Sequence, residues 1–180
     1  MQSIVLGLTL FRIAVAPFIF IFAIFLENYW TAFWLFNLAA LTDYFDGKLA
    51  REFNVESRLG AILDPIGDKL LALFAIITVI FFTHDIYVAL MGAFILAREF
   101  WVSALREYSS AHNNSKATKV TFIAKAKTTI QFIALSMYFF ASAAGLALMT
   151  FLASFFLFIA VLLALKSALD YTKNTLTKQE

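Results

Sequence analysis

The sequence contains no cysteine, little charge and only two histidines among its 180 residues. Disulfide bonds and thiolate chemistry are therefore excluded, and any metal ion must bind oxygen or histidine ligands. The histidines, His84 and His112, lie in predicted connections between helices. No Ser-His or Cys-His arrangement is thus available for covalent catalysis. Charged residues make up 14% of the chain, against roughly 25% in soluble domains.

Apolar residues are correspondingly abundant. They form 62% of the chain, compared with roughly 45–50% in soluble domains. Phenylalanine alone occurs 22 times. A soluble fold of this length could not bury so much apolar surface, so most of the chain must face lipid.

The apolar residues fall into six segments, each long enough to cross a bilayer as a helix. We predict an all-α integral membrane bundle of six transmembrane helices that forms a single domain over residues 1–180. The first segment is too long for a cleavable signal peptide, so we expect it to be retained. The predicted helices are Ile4–Leu26, Trp30–Arg51, Ala61–Phe82, Ile86–Tyr108, Phe122–Ala143 and Leu146–Tyr171.

Lysine and arginine lie on only one side of this predicted bundle. The connections around Glu27, Asp85 and Gly145 contain neither residue, whereas the connections on the other side and the C-terminal tail contain several. The positive-inside rule therefore predicts that both termini are cytoplasmic. We expect a bacterial inner membrane, with the functional site facing the cytoplasm and no nucleic-acid partner.

Four of the six aspartates lie close together in the sequence, at the predicted cytoplasmic ends of the second and third helices. Asp43 and Asp46 share one helical face, and Asp64 and Asp68 share another, because residues three or four apart align on a helix. If the two helices are antiparallel neighbours, four carboxylates converge. A cluster of oxygen ligands without histidine or cysteine favours Mg²⁺ or Mn²⁺, and two such ions could clamp a diphosphate.

The acidic cluster could also be a set of solvated groups in a membrane scaffold, or part of a cation channel or transporter. Single acidic residues at helix ends often serve only as solvated interfacial groups, and a membrane scaffold would need no such cluster. Acidic rings also line cation channels and transporters. The predicted carboxylates lie at one end of the bundle, however, and no polar path continues to the other end.

The full pattern is Asp-x2-Asp-Gly-x2-Ala-Arg-x8-Gly-x3-Asp-x3-Asp, over residues 43–68. It resembles the signature of the CDP-alcohol phosphotransferases, with all eight positions matched, although Gly67 stands where the family usually has alanine. The resemblance implies that Asp43, Asp46 and Asp64 bind two metal ions, and that Asp68 binds metal and acts as the general base. It also implies a CDP-lipid site formed by Thr9, Asp43, Asp46, Gly47, Ala50, Arg51 and Ser57.

Several further segments resemble the family members whose acceptor is sn-glycerol 3-phosphate and whose donor is CDP-diacylglycerol. They are residues 8–12, 63–70, 97–100, 103–107 and 125–131. A phosphorylated acceptor needs cationic partners, and the candidates are Arg98, Arg106, Lys125 and Lys127. Lys116 and Lys119 are more simply explained as loop charges that anchor the chain at the membrane surface.

The acceptor itself is left open among phosphorylated alcohols. Inositol phosphate, or phosphatidylglycerol in a cardiolipin synthase of the same family, would suit a basic pocket equally well. The resemblance further implies a homodimer, a property that the sequence alone does not test.

Overall fold

The computed structural model describes residues 2–53, 58–111 and 122–176. Within these ranges the chain is helical and contains no strand. The six helices are α1 Gln2–Phe20, α2 Tyr29–Phe53, α3 Arg58–Thr83, α4 Ile86–Ala111, α5 Phe122–Ala144 and α6 Ala147–Leu176. These bounds confirm the six helices predicted from the apolar segments. A π-helical turn, Ile21–Phe25, extends α1 and was not predicted.

Short capped connections join the helices at one end of the bundle. The side chain of Asn28 accepts a hydrogen bond from the Thr31 amide at 3.0 Å, and Asp85 accepts one from the Tyr87 amide at 2.8 Å. Both contacts satisfy amide groups that lack a partner at a helix start. Gly145, with a φ of 68°, makes the turn between α5 and α6, a left-handed conformation that costs glycine little.

The helices pack as two groups of three. In the first group α1 lies along both α2 and α3, whereas α2 and α3 touch each other only slightly. In the second group α6 lies along α5 and α4. Contacts between α3 and α4 and between α2 and α5 join the groups. As predicted, α2 and α3 are in contact, but α1 is the principal partner of each.

Small side chains let these helices approach closely, as is common in membrane proteins. Gly92 on α4 is the clearest case, because a Cβ atom there would lie 2.6 Å from Ile76 Cγ2 on α3. Fully buried alanines line the other contacts, with larger residues such as Phe36 and Leu157 between them. These alanines are Ala16, Ala32, Ala39, Ala75, Ala134, Ala153 and Ala160.

The outer surface of the bundle is strongly apolar. Phe25, Tyr87 and Ile86 are each more than 70% exposed, and many other large apolar side chains also face outward. Within the described residues, four helical stretches are long and apolar enough to cross a membrane, namely Leu6–Phe25, Ile62–Thr83, Ile86–Ala111 and Ala147–Thr175. An apolar exterior on helices of this length is that of an integral membrane protein.

Candidate active site

Asp64 and Asp68 lie one turn apart on α3, and both point towards α1. Thr9 Oγ1 donates a hydrogen bond to Asp64 Oδ1 at 2.5 Å. Arg12, three residues further along α1, forms an ion pair with Asp68 through Nη1. Thr9 and Arg12 are three residues apart, and Asp64 and Asp68 are four apart. Each pair therefore lies on one face of its helix, and the two helices make one contact at each of two successive turns.

The residues on α1 and Asp68 on α3 differ in their exposure to solvent. Thr9 and Arg12 are fully buried, whereas the Asp68 side chain is 47% exposed. The cation is thus fixed within the protein, while the carboxylate remains accessible to a ligand. Arg12 was not predicted as a site residue, although it is a charged residue within an apolar helix, which usually indicates function.

Gly67 lies between the two aspartates, at the contact of α3 with Arg12. A Cβ atom at this position would lie 3.4 Å from Ile13 Cγ1 and 3.7 Å from Arg12 Cδ. These are ordinary van der Waals distances, so the alanine usual in the family would also fit. The departure at Gly67 therefore leaves the ion pair undisturbed.

The remaining acidic and nucleotide-binding candidates are only partly described. Asp43, Asp46, Gly47, Ala50 and Arg51 belong to the last third of α2, where the backbone is helical. The placement of their side chains, and all of Ser57, lies outside the described part of the chain. Among the described side chains no group of three potential metal ligands occurs. The convergence of four carboxylates therefore stays a prediction.

The acidic residues that are described fit a hard divalent cation. Asp64 and Asp68 present carboxylate oxygens from one face of α3, and Asp68 is accessible. Neither histidine nor cysteine accompanies them in the aspartate segment, which is the ligand chemistry that Mg²⁺ and Mn²⁺ prefer. Arg12 offsets the negative charge of Asp68 and holds its carboxylate in place.

A second charged cluster lies between α4 and α5. Glu99 on α4 accepts hydrogen bonds from Lys127 Nζ on α5 and from Arg98 Nη1 at 3.3 Å. Arg98 and Lys127 are 6% and 2% exposed. Two buried cations thus share one partly buried carboxylate. We call Arg98, Glu99 and Lys127 the basic cluster, and these three described side chains together carry a net positive charge.

The α6 helix completes the contacts of Arg98. The guanidinium Nη2 donates to Ser167 Oγ at 2.8 Å, and Nε donates to the Ala164 carbonyl at 3.3 Å. With Glu99, these contacts occupy the three nitrogens of the guanidinium. Arg98 is therefore held rigidly, which explains how a charged residue is accommodated within an otherwise apolar helix.

Arg106 lies two turns further along α4. Its Nη2 donates to the Tyr171 hydroxyl at 3.0 Å, and the guanidinium carbon lies 5.2 Å from the centre of the same ring. Arg106 is exposed. The side chain of Lys125 lies outside the described residues. Of the four predicted phosphate-binding cations, Arg98 and Lys127 are thus brought together at Glu99, and Arg106 lies two turns away on α4.

Comparison with known proteins identifies the class. The family model for CDP-alcohol phosphatidyltransferases matches residues 6–166, and the chain belongs to this family. It is therefore a transferase of phospholipid biosynthesis, as the aspartate motif predicted.

Similarity to individual proteins extends over most of the chain. The CDP-diacylglycerol–glycerol-3-phosphate 3-phosphatidyltransferase of Escherichia coli strain K12 is 38% identical over 172 residues, which cover 91% of this chain and 90% of that protein. The protein of the same name from Shigella sonnei has the same identity and coverage. That of Shigella flexneri serotype 5b is 42% identical over 132 residues, or 72% of each chain.

Proposed function

We propose that this protein transfers the phosphatidyl group of CDP-diacylglycerol to sn-glycerol 3-phosphate, which yields phosphatidylglycerophosphate and CMP. The names of its relatives support this reaction. The structural observation that carries the proposal is the basic cluster. Arg98 on α4 and Lys127 on α5 are buried cations, and among the described side chains one carboxylate, that of Glu99, binds both. A phosphorylated acceptor supplies the anion that such a site binds best, whereas an uncharged alcohol does not.

In the proposed reaction the aspartates form the donor side of the site. Asp43, Asp46 and Asp64 would hold two divalent cations, Mg²⁺ or Mn²⁺, together with Asp68. Bound metal supplies charge neutralisation at the diphosphate of the donor. Asp68 removes the proton from the attacking hydroxyl as general base, while Arg12 keeps its carboxylate in position. The hydroxyl oxygen forms a bond to the phosphorus of the phosphatidyl group, the bond from that phosphorus to the bridging oxygen of the diphosphate breaks, and CMP leaves with the bridging oxygen.

The nucleotide would bind at the end of α2 that carries the aspartates. Small residues there allow a ligand to approach the backbone, and cationic and hydroxyl groups bind phosphate and cytidine. Thr9, hydrogen-bonded to Asp64, would border this region from α1. The proposed contacts are Thr9, Asp43, Asp46, Gly47, Ala50, Arg51 and Ser57.

The acceptor phosphate would bind at the basic cluster. Lys127 and Arg98 form its inner wall, and Arg106 and Lys125 extend it outward along α4 and α5. Arg106 would line the entry to this site, because it is exposed and its guanidinium is held by the Tyr171 hydroxyl. Long-range attraction by these charges would guide the anionic acceptor to the site.

We also propose that all six helices span the membrane. With 25 residues, α2 is about 37 Å long, enough to cross a hydrocarbon core of about 30 Å with its charged end at the interface. Lys125 and Lys127 lie near the start of α5, so this helix would also have a charged end at the interface. We further propose that residues 1–180 form a single domain with cytoplasmic termini, and that the protein is a homodimer in a bacterial inner membrane.

A panel of acceptors tests the proposed reaction. Purified protein in detergent micelles receives CDP-diacylglycerol and Mg²⁺ with glycerol 3-phosphate, inositol phosphate or phosphatidylglycerol, and CMP and the lipid product are measured. We expect product with glycerol 3-phosphate and no reaction without Mg²⁺. Product with another acceptor, but none with glycerol 3-phosphate, would show that the proposed substrate is wrong.

A further inference from the structure

Gln131 on α5 carries a buried polar atom that the contacts described so far do not explain. The residue is 2% exposed, and its Oε1 atom has no hydrogen-bond partner among the described residues. Nearly all buried polar atoms in proteins are paired, and an unpaired one costs about 1–3 kcal/mol. The described residues thus leave this buried acceptor free to bind a hydrogen-bond donor.

Other polar side chains further along α5 are paired within the bundle. Ser136 Oγ donates to Asn37 Oδ1 on α2 at 3.0 Å, and the Tyr138 hydroxyl and Ser154 Oγ of α6 lie 2.7 Å apart. The polar contacts that hold α5 to its neighbours are thus formed without Gln131. Its oxygen is not needed for helix packing.

The position of Gln131 relates it to the proposed acceptor site. It follows Lys127 by four residues, so the two side chains lie on one face of α5 about 6 Å apart along the helix axis. Lys127 reaches across to Glu99 on α4. No Cα atoms of α4 and α5 come within 8 Å of each other in the part of the chain that the structure describes. Side chains alone connect the two helices at this level.

The chemistry of Oε1 decides which part of a ligand it can bind. An amide oxygen only accepts hydrogen bonds, so it cannot bind the phosphate dianion, which also lacks donors. It needs a hydroxyl or amine proton. Lys127 and Arg98 provide donors for a phosphate, and Gln131, one turn deeper in the bundle, provides an acceptor for a hydroxyl. Together they match an alcohol that carries both groups a few bonds apart.

We propose that Gln131 is a specificity-determining residue whose Oε1 accepts a hydrogen bond from the non-reacting hydroxyl of the acceptor. This inference rests on the proposed function, in which one hydroxyl of glycerol 3-phosphate attacks and the middle hydroxyl stays unchanged. The contact orients the acceptor while its phosphate is held at the basic cluster. An acceptor without the middle hydroxyl leaves the amide oxygen unpaired and is discriminated against for that reason.

The test compares glycerol 3-phosphate with propane-1,3-diol monophosphate, which lacks only the middle hydroxyl. We expect wild-type protein to prefer glycerol 3-phosphate by roughly 10- to 100-fold in kcat/KM, because one buried polar group is left unpaired with the analogue. Gln131→Leu should lower kcat/KM for glycerol 3-phosphate by about the same factor and change the value for the analogue less than about threefold. The preference is thereby lost.

Matched variants keep the result interpretable. Ser136→Ala removes a paired polar group five residues further along α5 and should leave the preference unchanged. Gln131→Met, with an unbranched apolar side chain, repeats the test if the leucine variant does not fold. Equal use of both acceptors by wild-type protein, or an unchanged preference in Gln131→Leu and Gln131→Met, would overturn the inference. Absence of any reaction with glycerol 3-phosphate would instead refute the proposed function.

Discussion

The two groups of helices accommodate charge in opposite ways. Among the described side chains of α1–α3 the buried charge is a cation, Arg12, and its partner Asp68 is half exposed. In α4–α6 both cations and their carboxylate are largely buried, and α6 supplies further hydrogen bonds to Arg98. The first region leaves acidic oxygens accessible for a ligand, whereas in the second region the charged groups are already bound by one another and by α6. Substitutions should therefore affect catalysis in the first region and acceptor binding in the second.

Removal of the proposed base should have the largest effect. Asp68→Asn keeps the shape of the side chain but cannot take a proton, so CMP release should fall about 10³-fold. Asp85→Asn makes the same change of charge at the opposite end of the bundle, keeps the oxygen that caps α4, and should leave the rate unchanged. The rate is measured as CMP formed from CDP-diacylglycerol under saturating glycerol 3-phosphate. Full activity in Asp68→Asn would remove this residue from the mechanism.

Loss of the buried lysine should test the second region. Lys127→Met removes a charged donor to the acceptor phosphate, so the KM for glycerol 3-phosphate should rise about 100-fold. The KM for CDP-diacylglycerol should stay the same, since the donor lies on the other helix group. Lys166→Met, an exposed position on α6, is the control. A parallel rise in both KM values would argue against separate donor and acceptor regions.

The buried arginine of α1 should have an intermediate effect. Arg12→Gln removes the ion pair that positions Asp68, so kcat should fall about 10- to 50-fold with little change in the KM for glycerol 3-phosphate. Arg12→Lys keeps the charge and should recover part of the rate. Steady-state kinetics and thermal unfolding are measured on the same samples. A lower melting temperature with unchanged kcat would give Arg12 a purely structural role.

The contact between the two helix groups should affect stability alone. Gly92→Ala introduces a Cβ atom 2.6 Å from Ile76 Cγ2, which forces α3 and α4 apart and should cost about 1–3 kcal/mol. Gly7→Ala on α1 has no atom within 4 Å of the new Cβ and should be neutral or slightly stabilising. Thermal unfolding in detergent compares the two. Equal melting temperatures would mean that α3 and α4 adjust freely.

Apolar periodicity and the aspartate motif predicted much of this architecture from the sequence. All six helices begin and end within five residues of the predicted positions when the π-helical turn is counted with α1, because lipid requires long apolar helices with polar residues between them. The π-helical turn at Ile21–Phe25 was missed, since nothing in its apolar composition distinguishes it from an α-helix.

The choice of helix partners was harder to predict. Sequence proximity suggested that α3 faces α2, whereas the described contacts of Asp64 and Asp68 are with α1. Which of several apolar helices pack together depends on the fit of small and large side chains, which no local pattern encodes. Arg12 and Gln131 were within segments already noted for their family resemblance, but only burial and hydrogen bonding drew attention to these two residues.

The position of Glu99 has a consequence for turnover. Its carboxylate already binds the cations that an acceptor phosphate would use, so each incoming phosphate competes with an anion of the protein itself. The affinity for the acceptor would then reflect an exchange of one anion for another, and would be weaker than the affinity of two buried cations without a carboxylate. An enzyme whose product retains a phosphate benefits from this arrangement, because the same carboxylate helps to expel the product and restores the site for the next cycle.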